Sequence, residues 1–318
     1  MDGPLKNLLV VDLTRVLVGP YCTMILSDLG ARVIKVEAPE IGDDSRKFGP
    51  FVQDYSAYFM SLNRGKESIA LNLKNEDDKK IFDKILSKAD ILVENFKPGT
   101  LKKWGYGWDE VNKKYPKLIY ASASGFGQTG PLKELPAYDM VVQGMGGLMS
   151  VTGQPNSEPT RVGTSIGDIT AGLFTAIGIN AALYDRQKTG KGMFIDVSML
   201  DCQIAILENA IARYLSKNEI PEPMGSRHPS IAPFEAFKTK DSYIIVAAGN
   251  DKLFEKLCNV LKIPEVSIDE KFNSNSARAK NMDKLKTILE DKLSSKTTNE
   301  WVNEMEKERI PCGPIYNI

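Results

Sequence analysis

The first third of the chain alternates apolar runs with segments of helical periodicity, and this alternation limits it to one class of fold. Residues 8–13 (LLVVDL) form the kind of apolar run that a strand buried on both faces requires. Further strands are predicted at residues 32–37, 68–73, 90–96 and 117–124, with helices at 20–29, from Asn75 onward and at 108–115. Later in the chain a strand is predicted at 193–198 and a helix near 200–216. Repeated βαβ units build parallel sheets with right-handed crossovers. We therefore predict an α/β fold with a doubly wound parallel sheet.

A change of composition near residue 218 divides the chain into two predicted domains. The 318 residues suffice for two domains at roughly 150 residues each. Residues 218–230 (NEIPEPMGSRHPS) are rich in proline and interrupt the helical pattern. We predict a large domain over 1–217, a linker over 218–232 and a smaller α+β domain over 233–318. In the smaller domain a hairpin precedes several helices, the first of them capped by Asn250.

Charge and composition argue against two classes of partner. The chain has 41 Lys and Arg against 41 Asp and Glu, so its formal net charge is +0. This balance does not support binding to nucleic acid or to an acidic membrane surface. The apolar fraction of 42% is ordinary for a globular protein, and no apolar run approaches the ~20 residues of a membrane span. Asp12 and Arg15 interrupt the N-terminal apolar stretch, which argues against a signal peptide.

Cysteine and histidine usage narrows the possible chemistry. Cys22, Cys202, Cys258 and Cys312 lie far apart and form no CxxC pair. This spacing predicts neither a zinc site nor a disulfide framework, and it favours a reducing cytoplasm. His228 is the only histidine, so histidine-based metal sites and most catalytic triads are nearly excluded. We predict no metal.

A GxGxxG match at residues 125–130 (GFGQTG) lacks the context of a dinucleotide site. Such a site needs a helix directly after the motif and an acidic residue further on. Pro136 blocks the second turn of any helix that starts at Pro131, and the motif follows the fifth predicted strand rather than the first. We therefore interpret it as a glycine-rich turn.

A GxSxG match at residues 163–167 (GTSIG) makes a serine hydrolase the alternative function. The order Ser165, then Asp196 or Asp201, then His228 fits the triad of α/β-hydrolases. The preceding residues SEPTRV are too polar for the buried strand that a nucleophile elbow follows, and the HGGG oxyanion motif is missing.

Asp168 begins a long predicted helix, residues 168–188. An aspartate at this position most often acts as an N-cap. The helix N–H groups and macrodipole favour its charged form, so we expect a carboxylate that stays negative. The small residues Gly167, Ala171 and Gly172 leave space for a substrate atom to approach it. Periodicity does not choose between a cap and a nucleophile.

Polar and cationic residues follow several predicted strands. Lys74, the segment Asn95-Phe96-Lys97 and Lys103 come after strands whose carboxyl ends share one edge of a parallel sheet. Lysines gathered at one edge suit a polyphosphorylated ligand, and Phe96 is placed to pack on an adenine. The pattern favours a nucleotide-like ligand.

Several ordered blocks together resemble the class III CoA-transferases, also called the CaiB/BaiF family, which includes the formyl-CoA, carnitine and bile-acid enzymes. The matching blocks are GPYCTMILSDLGARVIKVEAP (19–39), NRGKESIALNLK (63–74), VENFKPGTLKKWG (93–105), SGFGQTGP (124–131), PAYDMVVQGMGG (136–147) and GTSIGDITAGLFTAIGINAALYDRQKTGKG (163–192). The resemblance covers nearly the whole chain and implies a Rossmann-like large domain. It also assigns both glycine motifs to loops of this family.

The resemblance implies a covalent mechanism in which Asp168 is the nucleophile. An acyl-CoA thioester and a carboxylic acid are the implied substrates, and aspartyl anhydride and aspartyl-CoA thioester the implied intermediates. Coenzyme A is a co-substrate, and no metal, ATP or permanently bound cofactor is required. The implied CoA contacts are Leu17, Val18, Leu71, Lys74, Asn95, Phe96, Lys97, Lys103 and Tyr138.

The sequence departs from the formyl-CoA and oxalyl-CoA enzymes in two places. Leu17 replaces a glutamine that faces the acyl group in those enzymes, and their glycine-run loop is absent, so oxalate is not an expected acceptor. The segment 226–234 (SRHPSIAPF) is closer to members that handle larger dicarboxylates such as succinate. Arg227 and His228 are therefore candidate contacts for a distal carboxylate.

The resemblance also bears on assembly and completeness. Family members interlock as homodimers, which we expect here. Related racemases use a histidine near PAYDMVV, and its absence favours a transferase. Relatives continue beyond Ile318 and return to the large domain, so the chain is expected to be a fragment. A catalytically inactive acyl-CoA-binding fragment is the remaining alternative function.

Overall fold

The structure, a computed structural model, describes residues 3–318. The chain forms two compact units. The first contains the residues up to Val151 and Pro159–Pro221, and the second contains Thr152–Glu158 and Glu222–Ile318. The short segment Thr152–Glu158 thus belongs to the second unit, an arrangement that no linear division of the sequence contains.

The first unit is built on a parallel sheet. Its strands are β1 (Leu9–Asp12), β2 (Arg32–Glu37), β3 (Phe51–Val52), β4 (Tyr55–Ser56), β5 (Glu67–Ala70), β6 (Ile91–Glu94), β7 (Ile119–Ser124) and β8 (Phe194–Ser198). Six strands pair in parallel in the order β5-β2-β1-β6-β7-β8, and β3 pairs with β4. The predicted doubly wound parallel sheet is confirmed. The strand order reverses between β1 and β6, where open α/β sheets bind ligands.

Helices cover both faces of this sheet. They are α1 (Val18–Asp28), α2 (Ala57–Asn63), α3 (Glu76–Leu86), α4 (Thr100–Lys103), α5 (Trp108–Lys114), α6 (Asp139–Met145), α7 (Ile166–Thr189), α8 (Met199–Ala205) and α9 (Glu208–Lys217). Because successive side chains of a strand point to opposite faces, Val10 lies in the core with Cys22 and Ala176, while Val11 lies in the core with Phe82. The helix predicted near 200–216 is divided into α8 and α9.

The long helix α7 packs along α1 and against β7 and β8. Its length and composition alone would allow it to cross a membrane. Half of its most apolar window is buried within the protein.

The second unit is a three-stranded antiparallel sheet with helices. Its strands are β9 (Phe234–Lys238), β10 (Tyr243–Ala247) and β11 (Cys312–Pro314), in the order β11-β10-β9, and its helices are α10 (Asp251–Val260), α11 (Pro264–Ile268), α12 (Asn275–Lys280), α13 (Met282–Leu293) and α14 (Thr298–Lys307). The predicted hairpin and the Asn250 cap are confirmed, since the Asn250 carboxamide accepts the Leu253 N–H at 2.9 Å.

Candidate active site

Helix α7 begins before Asp168, so the predicted N-cap is wrong. Ser165 is the N-cap residue, and Asp168 lies in the first turn. The Asp139 carboxylate accepts the Gly167 N–H at 2.8 Å. An acid from α6 therefore caps the helix, which leaves the Asp168 carboxyl available for other chemistry.

The charge state of Asp168 also differs from the expectation. Burial and the nearby negative charge of Asp139 together raise the pKa of Asp168 to about 7. The helix N–H groups and the macrodipole favour the charged form, but they are worth less than the desolvation of a carboxylate. A carboxylate with a raised pKa holds its electron pair less tightly, and it is a stronger nucleophile than an ordinary aspartate once ionised.

Asp139 is itself positioned by a buried amide that the sequence did not single out. Gln143 donates to the second Asp139 oxygen at 2.7 Å and accepts the Val162 N–H at 2.9 Å. These bonds tie the segment that enters α7 to helix α6. The first turn of α7 is thereby held by side chains from a separate element.

Tyr58 is a further polar group of this region that the sequence analysis missed. Burial raises the pKa of Tyr58 to about 12, with added contributions from the negative charges of Asp168, Asp43 and Asp139. Its half-buried phenol stays protonated at neutral pH and is a hydrogen-bond donor. Its position on α2, far from Asp168 in sequence, left no local signal.

The small residues near Asp168 contact the protein rather than a substrate. A Cβ at Gly172 would lie 2.8 Å from the Val18 carbonyl oxygen, and one at Gly167 would lie 2.7 Å from Val142. Ala171 is fully buried. The expected space for a substrate atom at these positions is filled by α1 and α6, and these glycines permit helices to pack closely.

A cavity of about 440 Å³ lies at the carboxyl ends of β1, β2, β5 and β6. Ligand sites in proteins typically have about 300–1,000 Å³. Its lining consists of Leu13, Thr14, Arg15, Val36, Glu37, Ala38, Pro39, Ile41, Gly42, Asp43, Leu71, Asn72, Leu73, Lys74, Phe96, Lys97, Thr100 and Trp104. The cavity brings together Leu71, Lys74, Phe96 and Lys97 of the expected CoA contacts.

The other expected CoA contacts lie outside this lining. Leu17 and Val18 are buried at the start of α1, Lys103 is exposed on α4, and the Tyr138 side chain is 77% exposed before α6. The Asn95 carboxamide accepts the Arg15 N–H at 2.8 Å and donates to the Arg15 carbonyl at 2.9 Å. Its side chain is thus occupied by the backbone of the β1–α1 loop.

Arg15 is a cavity residue that the sequence analysis did not select. Its guanidinium lies 5.6 Å from the centre of the Phe96 ring and pairs with Asp44 at 3.0 Å. Trp104 contacts the same ring edge-on, with 5.4 Å between ring centres. Phe96 therefore already has an aromatic and a cationic neighbour within the cavity.

Arg227 and His228 lie in the second unit and have hydrogen-bond partners there. Arg227 pairs with the buried Glu235 at 3.0 Å and with Asp283 at 2.8 Å. The His228 Nδ1 accepts the N–H groups of Ser230 and Ile231 at 3.2 and 3.1 Å. Their contact with a substrate carboxylate stays a prediction.

Neither glycine motif has the structure that its pattern requires. Across the described residues 3–318 no strand directly precedes Ser165 and no helix directly follows Gly130. The motif at 125–130 forms a loop in which the Gln128 N–H donates to the Asp196 carboxylate at 3.0 Å. The nucleophile-elbow and dinucleotide-site interpretations therefore lack structural support.

The fold and the site define the class: an α/β protein with a nucleotide-sized cavity at the strand ends and a half-buried carboxyl of raised pKa at a helix start. The chain matches CoA-transferase family III over residues 5–318. It is 49% identical to an acetyl-CoA:oxalate CoA-transferase of Acetobacter aceti (99% of this chain, 82% of the relative) and 42% identical to a succinyl-CoA:glutarate CoA-transferase of Homo sapiens (99% and 72%).

A solved structure agrees with these relatives. A CaiB/BaiF family protein from Brucella suis superposes with a TM-score of 0.88 at 42% identity, covering 100% of this chain and 85% of that one. The chain belongs to CoA-transferase family III, as the resemblance implied. It is a CoA-transferase that uses coenzyme A as co-substrate.

The raised pKa of Asp168 predicts an acid limb in the pH profile near neutrality. If the charged form attacks, kcat/KM falls about tenfold per pH unit once the pH drops below the pKa of about 7. Asp139→Asn removes a negative charge that raises this pKa, so the limb should move to lower pH. Steady-state rates between pH 5 and 8.5 test this.

Asp185→Asn is the matched control for the pH profile. Asp185 lies on the same helix, roughly 25 Å from Asp168 at 1.5 Å per residue. Removing its charge should leave the limb in place. A profile that Asp139→Asn does not shift would contradict the assignment of this limb to Asp168.

Proposed function

We propose that this CoA-transferase moves CoA from an acyl-CoA to a carboxylic acid through covalent intermediates on Asp168. The observation that carries the proposal is the half-buried Asp168 carboxyl, whose pKa is raised toward neutrality by burial and by Asp139. Its helix is capped by another residue, so its oxygens are not needed for capping. Two groups that act on its charge have other bonds or charge states: Asp139 accepts hydrogen bonds from the Gly167 N–H and from Gln143, and the Tyr58 phenol stays protonated at neutral pH.

The proposed steps balance without an added cofactor. An Asp168 oxygen attacks the thioester carbonyl, the C–S bond breaks, and the CoA thiolate leaves a mixed anhydride. The thiolate then attacks the aspartyl carbonyl, releasing the donor acid and forming an aspartyl-CoA thioester. The acceptor carboxylate attacks the aspartyl carbonyl of that thioester, which expels the CoA thiolate and forms a second mixed anhydride. The thiolate then attacks the acceptor's carbonyl in this anhydride, which forms the new acyl-CoA and frees the Asp168 carboxylate. One difficult exchange is thereby divided into easier steps.

The cavity at the strand ends is proposed to hold the nucleotide part of CoA. Lys74 and Lys97 supply positive charge for phosphate groups, and Phe96 with Leu71 supplies apolar surface for the base. We expect Arg15 to join them, because its guanidinium lines the same cavity. The contacts implied for Leu17, Val18, Lys103 and Tyr138 are proposed to involve parts of CoA other than the nucleotide.

A dicarboxylic acid is the proposed acceptor. Relatives are named for oxalate, glutarate, mesaconate and citramalate, all of which carry two carboxylates. Because the relative at 49% identity is named for oxalate, we include oxalate among the acceptors to be tested, although Leu17 and the absent glycine-run loop argue against it. A screen pairing acetyl-CoA or succinyl-CoA with mono- and dicarboxylic acids tests this. Faster exchange with monocarboxylic acids would contradict it.

Trapping the intermediate separates the proposed mechanism from its alternatives. After incubation with succinyl-CoA, borohydride or hydroxylamine modifies an activated carboxyl, and peptide mass analysis locates the modified residue. The proposal requires modification at Asp168. A succinyl ester on Ser165, found by mass analysis of a sample not treated with these reagents, would instead support a serine hydrolase, and an unmodified protein that binds acyl-CoA would support an inactive binding protein.

We also propose a homodimer. Helix α7 leaves Leu173, Phe174, Ile177 and Tyr184 between 39% and 62% exposed, although the opposite face of the helix lies in the core. A row of apolar side chains of this kind suits burial against a second copy. Sedimentation equilibrium tests the proposal, and a monomer at micromolar concentration would refute it.

A cytoplasmic location is proposed as well. All four cysteines are free, and Cys22, Cys202 and Cys258 are buried thiols, as expected in a reducing compartment. Fractionation of the source cells tests this, and recovery outside the cytoplasmic fraction would refute it.

A further inference from the structure

The loop between β1 and α1 is held almost entirely by side chains from other elements. The Thr14 N–H donates to Asp12 at 2.8 Å, and the Thr14 carbonyl accepts from the Lys35 ammonium at 2.7 Å. Both backbone groups of Arg15 bond the Asn95 carboxamide. Each backbone polar group from the Thr14 N–H to the Arg15 carbonyl therefore has a side-chain partner.

The same pattern continues into the next residues. The Val16 N–H donates to Asp43 at 3.1 Å, and the Pro20 carbonyl accepts from the Lys66 ammonium at 3.0 Å. We call Asp12, Lys35, Asp43, Lys66 and Asn95 the loop clamp. Its members come from β1, β2 and the segments that follow β2, α2 and β6.

Four members of the loop clamp are charged and almost fully buried. Lys35 pairs with Asp43 at 2.9 Å, with 1% and 0% of the two side chains exposed. Lys66 pairs with Asp12 at 3.1 Å, with 2% and 0% exposed. Well-packed apolar side chains at such positions are often as stabilising as buried ion pairs. Stability alone therefore does not explain why charged residues occupy these positions.

The clamp surrounds a strained residue. Val16 has a φ of 67°, in the left-handed region that β-branched side chains rarely adopt. Such a conformation persists only where the surroundings determine it strongly, and strained residues cluster at functional sites. Asp43 accepts the Val16 N–H directly. The negative charge of Asp43, like that of Asp168, also raises the pKa of Tyr58.

The loop leads from the cavity to the nucleophile helix. Thr14 and Arg15 line the cavity. The Val18 carbonyl packs closely on Gly172, since a Cβ added to Gly172 would lie only 2.8 Å from the carbonyl oxygen. Gly172 is one turn beyond Asp168 on α7. A shift of the loop would change both the cavity wall and the packing beside the proposed nucleophile.

We propose that Lys35 and Asp43 are positioning residues for CoA transfer, which hold Val16 in its left-handed conformation and so set Leu17 and Val18 against the site of acyl transfer. The inference rests on the proposed transfer at Asp168. Neither residue touches the reacting atoms. They act by aligning the loop with α7. We therefore expect substitutions of these residues to change kcat more than KM.

A rescue experiment tests this role. Asp43→Ala removes the Val16 partner, and Val16→Gly removes the Cβ that disfavours the left-handed conformation. Asp43→Ala should lower kcat about tenfold or more, since displacements near 1 Å from remote substitutions can cost about 100-fold. Adding Val16→Gly should recover about half of that loss on a logarithmic scale, while Val16→Gly alone should change kcat less than about twofold.

The assay is steady-state exchange with succinyl-CoA and glutarate or with acetyl-CoA and oxalate, whichever wild-type exchange is faster. Asp77→Ala, at an exposed acid on α3, is the matched control and should leave kcat unchanged. If Asp43→Ala does not fold, the double variant Lys35→Met with Asp43→Leu replaces it, because it removes both buried charges together and leaves the Val16 N–H without its acceptor.

Two results would overturn the inference. One is a folded Asp43 variant with the wild-type kcat, and the other is a kcat loss that Val16→Gly does not reduce. Exchange by an Asp168→Asn variant would refute the proposed nucleophile instead. It would leave the rescue test intact, because that test measures turnover whichever residue carries the acyl group.

Discussion

Asp168→Asn should lower kcat for CoA exchange by at least about 1,000-fold, since loss of a covalent nucleophile has cost on the order of 10⁶ in a well-studied protease. The amide has nearly the volume of the carboxyl but cannot attack a thioester. It should leave the fold intact, because Asp139 rather than Asp168 caps α7. Turnover with the best donor and acceptor pair measures the loss, and mass analysis excludes deamidation to aspartate.

Binding and a neighbouring hydroxyl provide the controls for this prediction. CoA affinity of Asp168→Asn, measured by calorimetry, should stay close to the wild-type value because the cavity lining does not include Asp168. Ser165→Ala should retain measurable turnover. Undiminished exchange by Asp168→Asn, or loss of exchange by Ser165→Ala in a folded protein, would contradict the proposed mechanism.

Lys66→Met should reduce the free energy of unfolding by about 3–5 kcal/mol, the usual cost of leaving a buried charge without its partner. Burial alone would raise the pKa of Asp12, but Lys66, Lys35 and the hydroxyls of Thr14 and Thr23 hold that pKa far below its usual value. Without Lys66 the Asp12 carboxylate keeps part of this support and loses its closest cation. Urea unfolding followed by tryptophan fluorescence measures the difference.

Lys80→Met is the matched control for the stability prediction. Lys80 pairs with Asp77 at 2.8 Å, but 73% and 85% of the two side chains are exposed. An exposed pair of this kind contributes less than about 1 kcal/mol. Equal losses in the two variants would show that the buried Lys66–Asp12 pair has no special importance for the fold.

The fold was largely predictable because its strands carry a local pattern. The strand predicted at 32–37 is observed as Arg32–Glu37. The strand predicted at 193–198 is observed as Phe194–Ser198, at one edge of the sheet. Parallel strands are buried on both faces, so their apolar runs mark them in sequence. The break between α8 and α9 was missed because Ile206 and Leu207 are ordinary helix formers.

The site was predictable only in part. Lys74 and Phe96 were selected because they follow strands, and the cavity does contain them. Asn95 was selected on the same grounds, yet its side chain holds the Arg15 backbone. A residue's position after a strand predicts which edge of the sheet it occupies. It does not predict whether its polar atoms are taken by another loop.

The buried charged residues could have been recognised from their positions within apolar segments of the sequence. Lys35 interrupts the otherwise apolar centre of a predicted strand, and Asp12 lies at the end of the first apolar run. Charged residues are rarely buried without partners, so each of them predicts a buried partner. The partners, Asp43 and Lys66, lie in loops whose approach to the sheet has no counterpart in local periodicity.

The sequence by itself determined the parallel α/β architecture, the family and the presence of an aspartate at the start of a long apolar helix. Hydrophobic periodicity and ordered motif blocks are properties of neighbouring residues, and both can be recognised along one chain. Only the tertiary structure decided that Asp139 caps this helix, that Asp168 titrates near neutrality and that a clamp of buried charges holds the β1–α1 loop. Desolvation and Coulomb energies depend on distances between residues far apart in sequence, which exist only in the folded protein.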